Sequence, residues 1–195
     1  EDEIECEGVE RLQERIAQID GWAKEKSVQV TYVSGLVATR TNPKTKKLEV
    51  LLARGRDRVT RFPKKTQFPG GKVETGEDHV RALGRELKGE IDKVPKQVSF
   101  LKTYVQQPEP GERSVYAIHA FRMKDCPWEE KDFKYDPNED VDVAWWTDNP
   151  FIGKDGKEAG FFPQVRHILI HELGFKPPRK LPEDEYDGDE RKIKF

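Results

Sequence analysis

Phe68-Pro69-Gly70-Gly71-Lys72-Val73-Glu74-Thr75-Gly76-Glu77-Asp78-His79-Val80-Arg81-Ala82-Leu83-Gly84-Arg85-Glu86-Leu87-Lys88-Gly89-Glu90-Ile91 is the stretch of this 195-residue chain that decides its fold. It reads as a glycine loop running into a helix. Gly70, Gly71 and Gly76 permit a tight path and close approach of backbone to a ligand. Val80, Leu83, Leu87 and Ile91 recur at helical spacing and mark a buried face, with Glu77 and Asp78 suited to the first turn. Glu86 and Glu90 lie four residues apart and project side by side, on the same strip as His79 and Ala82. Like charges at that spacing cost a helix a few tenths of a kcal/mol, and a hard divalent cation between them removes the repulsion. Carboxylates with backbone oxygens and water are the donors that Mg²⁺ or Mn²⁺ prefers. The plainer alternative for such a pair is a solvated helix face.

Outward from this segment the chain mixes strands and helices. Val28 to Ala38 and Leu48 to Leu52 predict two strands around the turn-like Asn42-Pro43-Lys44. Phe100 to Val105 and Val115 to Phe121 predict a hairpin across Gln107-Pro108-Glu109-Pro110-Gly111. Val141 to Trp146 predicts a further strand, and Pro163 to Leu173 a helix with Val165, Leu169 and Leu173 inward. The pattern is that of an α/β domain with a mixed sheet. Before it, residues 1–25 predict an amphipathic helix with Val9, Leu12, Ile16 and Ile19 on one face and Gly21 as its stop. That helix either packs on its own domain or offers a face to a protein partner. Residues 26–175 then form the domain, and residues 176–195 a charged tail with no core of its own.

The spacing in the decisive segment resembles the signature of the Nudix hydrolases, G-x5-E-x7-R-E-U-x-E-E-x-G-U with U apolar. Gly71, Glu77, Arg85, Glu86, Leu87 and Glu90 match it, and Phe68-Pro69-Gly70 resembles the family's approach to the loop. Gly89 stands where the family has Glu, Asp92 where it has Gly, and Lys93 where it has an apolar residue. The resemblance implies an α/β/α sandwich with a mixed sheet. It implies an enzyme that cleaves a pyrophosphate linkage in a nucleotide-linked substrate, with Mg²⁺ or Mn²⁺ as cofactor. Glu86 and Glu90 would be the catalytic acids and metal ligands, joined by the carbonyl of Gly70, while Glu77 and Arg85 would form a supporting ion pair. Gly89 removes one metal-binding carboxylate, for which Glu74, Glu77 or an acid from Glu139 to Asp142 would substitute; Glu139 fits the family habit of an acid before the late strand.

Arg54, Arg56, Arg58, Arg61, Lys64 and Lys65 gather basic charge just ahead of the loop, opposed only by Asp57. With Lys72, the residues Arg54, Arg56, Arg61 and Lys65 are candidates to hold a nucleoside polyphosphate or the 5′ end of RNA, the alternative being a solvated loop. Trp145-Trp146 and Phe161-Phe162 offer rings that would either stack a base or fill the core. His167 and His171 stand at helical spacing, but no Cys or Glu completes a metal site, so a surface or capping role is expected. The second reading of the whole chain is a Nudix domain that binds nucleotide, RNA or a partner without hydrolysis.

Composition bounds these readings. Lys plus Arg number 35 against 37 Asp plus Glu, for a net charge of -2, which excludes a uniformly basic nucleic-acid coat. No apolar run approaches a membrane span. Cys6 and Cys126 belong to no CxxC pair, and unpaired thiols in a reducing interior are expected. Neither a Gly-x-Ser-x-Gly elbow nor a P-loop occurs, so serine hydrolase and kinase readings fall away. The chain begins Glu1-Asp2-Glu3 instead of Met, which reads as a trimmed start. An intracellular location, with the mitochondrial matrix as one destination, is the expectation that follows.

Overall fold

The computed structural model describes residues 3–55, 65–106, 114–135, 138, 141–146, 150–151, 160–161 and 163–177. In chain order these form β1 (Glu5–Glu7), α1 (Val9–Lys26), β2 (Gln29–Thr41), β3 (Leu48–Gly55), β4 (Lys65–Gln67) and β5 (Gly70–Lys72). Then come α2 (His79–Ile91), β6 (Gln97–Gln106), β7 (Ser114–Met123), β8 (Val141–Trp146), β9 (Gly160–Phe161) and α3 (Pro163–His167). The last helix runs on as a π turn over Ile168–Glu172.

The sheet order is β1-β6-β7-β2-β3-β4-β9, with β5 added to β2 and β8 to β3. β2 and β7 run parallel from Gln29↔Ser114 to Ala38↔Met123, while β6–β7, β2–β3 and β3–β8 are antiparallel. The sheet is therefore mixed, as expected. Its central strands are apolar on both faces, which a sheet covered on both sides requires. Leu36, Ala38, Leu51 and Ala53 face Leu83, Leu87 and Ile91 of α2, whereas Val37, Val50 and Leu52 face Val165, Ile168 and Leu169. The result is a three-layer α/β/α sandwich. Both tryptophans of β8 are taken up by it: Trp145 is buried on the α2 side and Trp146 packs partly buried on the other.

The N-terminal segment departs from expectation in two ways. Residues 5–7 are not helical but pair in parallel with β6 at Glu5↔Gln97 and Glu7↔Ser99. Gly8, at φ 85, turns the chain from strand to helix, a conformation that favours glycine. The helix then runs past Gly21, whose φ is not left-handed and whose missing side chain touches nothing, and ends at Ser27 with φ 54. Its apolar stripe is covered by its own domain: Leu12 and Ile19 are fully buried and Ile16 packs beside them, while Val9 stays exposed. Gly84, which costs α2 about 1 kcal/mol relative to Ala, lies under this segment. A Cβ there would stand 3.1 Å from Ile4 Cδ1. Cys6 and Cys126 are both unpaired, and burial pushes the Cys126 thiol up to about 11.

Candidate active site at the glycine strand and the second helix

The site is built where β5 meets α2. β5 pairs antiparallel with β2, bringing Gly70 opposite Gly35 and Gly71 opposite Ser34. Gly70 adopts φ 143, and a Cβ on it would collide with the Ser34 carbonyl oxygen, so only glycine lets the two strands close. A Cβ on Gly71 would overlap the carboxyl group of Glu86. The bare Gly70 thus lets β5 close on β2, and the bare Gly71 leaves room for the Glu86 carboxyl where it stands. Glu90 is 4% exposed, and its Oε2 accepts the Gly70 N–H at 3.1 Å. Gly70, Gly71, Glu86 and Glu90 are brought together as the spacing predicted.

Arg85 fixes the loop to the helix. Its Nε and Nη2 reach the two carboxylate oxygens of Glu77 at 2.8 and 3.0 Å, a bidentate pair. Nη2 also donates to the Lys72 carbonyl, and Nη1 donates to Glu86 Oε1 at 2.9 Å. The bond from Arg85 holds the Glu77 carboxyl below the usual carboxylate range, and Glu77 in turn raises the guanidinium. Glu77 Oε1 also accepts the Glu74 N–H, which tightens the turn before the helix. Asp78 caps α2 by accepting from the backbones of Val80 and Arg81, so it precedes the first turn instead of lying in it.

Sequence reasoning missed the polar chain beneath the start of α2. His79 Nδ1 lies 2.8 Å from His119 Nε2, and His119 Nδ1 lies 2.7 Å from Thr103 Oγ1. The Tyr32 ring stacks on His119, and its hydroxyl donates to Asp20. His119 is fully buried, which pushes its imidazole down to about 3, with His79 adding to the shift. Burial lowers His79 as well. His119 sits alone in an apolar strand in the sequence, so only its distant partners could have announced it.

The remaining candidates are placed unequally. Lys72 is exposed on β5, with Nζ 6.0 Å from the Tyr116 ring centre. Arg54 is half-buried on β3, opposite Thr66 of β4 and Asp142 of β8. Lys65 opens β4, while Arg56, Arg61 and Glu139 lie outside the described residues. The His167 and His171 rings stand 4.6 Å apart in the last helix. Among the described residues no three His, Cys, Asp or Glu side chains gather as a metal cluster. The donors present at the site are oxygens only, from Glu86, Glu90 and the glycine strand, and that set fits a hard divalent cation better than a soft one.

A family model described as NUDIX domain matches residues 31–159, more than half of the chain. The chain belongs to the NUDIX family. Among solved structures this NUDIX chain is similar to the MutT NUDIX hydrolase from Burkholderia pseudomallei, at 20% identity and a TM-score of 0.50. That match covers 72% of this chain and 96% of the other. It is also similar to a MutT/nudix family protein from Enterococcus faecalis, with 19% identity, a TM-score of 0.48 and 67% of this chain covered. The match spans half the length of the Enterococcus protein. The NUDIX domain of Shewanella oneidensis NrtR, solved in complex with ADP ribose, matches at 21% identity and a TM-score of 0.46, over 61% of this chain and 73% of that one. No curated protein matches. The expected family and the α/β/α fold are both borne out.

Proposed function

We propose that this NUDIX domain is a metal-dependent pyrophosphohydrolase that cleaves a pyrophosphate linkage in a nucleotide-linked substrate. The observation that carries the reading is the seating of Glu86 beside Gly71, where a Cβ would overlap its carboxyl group, and of Glu90 on the Gly70 N–H. In this reading Glu86, Glu90 and the Gly70 carbonyl hold Mg²⁺ or Mn²⁺, with Glu139 as the further ligand in place of the acid that Gly89 lacks. The bound ion orients the phosphates and offsets their developing charge. Glu86, steered by Arg85, accepts the proton of the water that attacks phosphorus. Glu77 acts at one remove, by holding Arg85.

Within that class a nucleoside polyphosphate or the 5′ end of RNA is the substrate we favour, because Arg54, Arg56, Arg61, Lys65 and Lys72 bring positive charge ahead of and into the glycine loop in the sequence. The test is release of phosphate and pyrophosphate from a panel of nucleotides and a 5′-triphosphate RNA, with Mg²⁺ or Mn²⁺ and with chelator. Metal-dependent release ranks the substrates; no release from any of them by folded protein contradicts the reading. Gly89, together with the engagement of Glu86 by Arg85, favours a second reading, a module that binds nucleotide, RNA or a partner without hydrolysis. Calorimetry with a nucleoside diphosphate separates the two: affinity indifferent to Mg²⁺ selects the module.

A further inference from the structure

One polar row crosses the sheet face that α2 covers. Thr103 of β6 stands opposite His119 of β7, His119 opposite Ser34 of β2, and Ser34 opposite Gly71 of β5. Thr103, His119 and Ser34 are all 0% exposed. The next row on the same face, Phe100, Phe121 and Leu36, is apolar throughout. The polar row ends at Gly71, where the missing side chain leaves room for the Glu86 carboxyl.

The row has one target, the first residue of α2. Ser34 Oγ donates to the His79 carbonyl at 2.7 Å, and His119 Nε2 lies 2.8 Å from His79 Nδ1. Thr103 Oγ1, 2.7 Å from His119 Nδ1, braces that imidazole from behind. A neutral imidazole donates from one nitrogen and accepts at the other, so the chain from Thr103 to His79 is satisfied whichever way it runs. Burying polar groups in such a row is costly unless they are bonded, and a fully bonded row rigidifies what it holds. What it holds is the start of α2, and about two turns further along that helix stands Glu86. The Ser34 carbonyl is also the group against which Gly70 closes. Ser34 therefore meets both halves of the site, the helix through its hydroxyl and the glycine strand through its backbone.

We propose that Ser34 is a positioning residue for the candidate site, braced by His119 and Thr103, and that it sets α2 where Glu86 meets Gly71 and Glu90 meets the Gly70 N–H. Its consequence for metal rests on the reading of Glu86 and Glu90 as ligands; its consequence for the placement of α2 does not. The probe is Mn²⁺ alone, titrated by loss of its free-ion EPR signal, beside amide shifts of the isotope-labelled, metal-free protein. Ser34→Ala is expected to weaken Mn²⁺ binding about tenfold and to move the Glu86 amide. Thr103→Val, which keeps the shape and removes the hydroxyl, is expected to move the Gly71 and Glu86 amides from three strands away and to weaken Mn²⁺ in the same direction by less. Thr103→Ser, which keeps the hydroxyl, should restore both. Val165→Ala opens a void on the opposite face of the sheet, and it should lower stability while leaving Mn²⁺ binding and those amides as they were. Wild-type Mn²⁺ affinity in folded Ser34→Ala would overturn the proposal, as would a loss in Val165→Ala equal to that in Ser34→Ala, which would make the effect one of stability. Wild-type protein that binds no Mn²⁺ contradicts the metal reading, and the amides then decide alone: shifts at Gly71 and Glu86 in Thr103→Val uphold the positioning role, and their absence overturns it.

Discussion

Arg40 and Arg85 each sit in a fork of glutamates, yet one is sealed into the sandwich and the other stands at its mouth. Arg40 pairs with Glu49 at 2.8 Å, and their side chains are 17% and 1% exposed. The pair is held from several sides: Asn42 donates to Glu49, Arg40 Nη1 reaches the Trp128 carbonyl and the exposed Glu129, and the guanidinium lies 4.4 Å from the Trp145 ring centre. Arg85 is 40% exposed and its partners Glu77 and Glu86 are 18% and 22% exposed. The first cluster closes on itself, as a structural pair must when water is excluded. The second leaves part of an acid facing outward beside two glycines, the arrangement expected of a candidate site. The same two residue types thus serve opposite ends, and burial with completeness of pairing tells them apart.

The largest effect expected from this contrast is at Arg40. Arg40→Ala strands the Glu49 carboxylate in the core and is expected to cost about 3–5 kcal/mol in urea unfolding. Hydrolysis per folded molecule should stay as it was; a change in turnover without loss of stability would erase the distinction.

The buried imidazoles sharpen the contrast, since His119 belongs with Arg40 as a structural polar group. Its native pKa is depressed to about 3, so below its ordinary value near 6.5 the unfolded chain takes up a proton that the folded chain refuses. Its share of stability is therefore present above pH 6.5 and is lost as pH falls from there toward 3, at about 1.4 kcal/mol per pH unit. Between pH 6.5 and 5, before the carboxylates titrate, wild type should lose stability through His119, with His79, also lowered by burial, adding to the fall. His119→Gln, though less stable at pH 7, should lose correspondingly less over that interval; parallel slopes would remove His119 from the account.

A far smaller stability change than at Arg40 is expected at Arg85. Arg85→Gln breaks a largely solvated pair and should lower stability by about 1 kcal/mol or less. Turnover should nevertheless fall about tenfold to a hundredfold, because Arg85 orients Glu86 and ties the loop at Glu77 to α2. A stability loss as large as that of Arg40→Ala would contradict the comparison from the other side.

Much of this was legible in the sequence where periodicity or spacing was long enough to speak. Val80, Leu83, Leu87 and Ile91 declared the inner face of α2, and the spacing of the glycines with Glu86 and Glu90 pointed to the candidate site. Three-residue edge strands such as β1, β4 and β5 carry no period to read, so the parallel pairing of residues 5–7 with β6 went unseen. Gly21 misled because glycine ends a helix only where a left-handed φ is needed, and here Ser27 takes that conformation. The buried roles of Glu49 and His119 rest on partners 9 and 40 residues away, which no local pattern encodes. The basic residues Arg56 and Arg61 and the acid Glu139 lie outside the described residues, so their part in the site rests on charge and resemblance.

The central claim is that Glu86, seated against Gly71, performs chemistry. It is tested most directly by metal-dependent release of phosphate or pyrophosphate from the best nucleotide substrate, wild type against Glu86→Gln, with urea midpoints measured on both. The account predicts unfolding free energies that agree within about 0.5 kcal/mol and a fall in turnover of about a hundredfold or more in the variant. Retained turnover in a folded Glu86→Gln protein would contradict it.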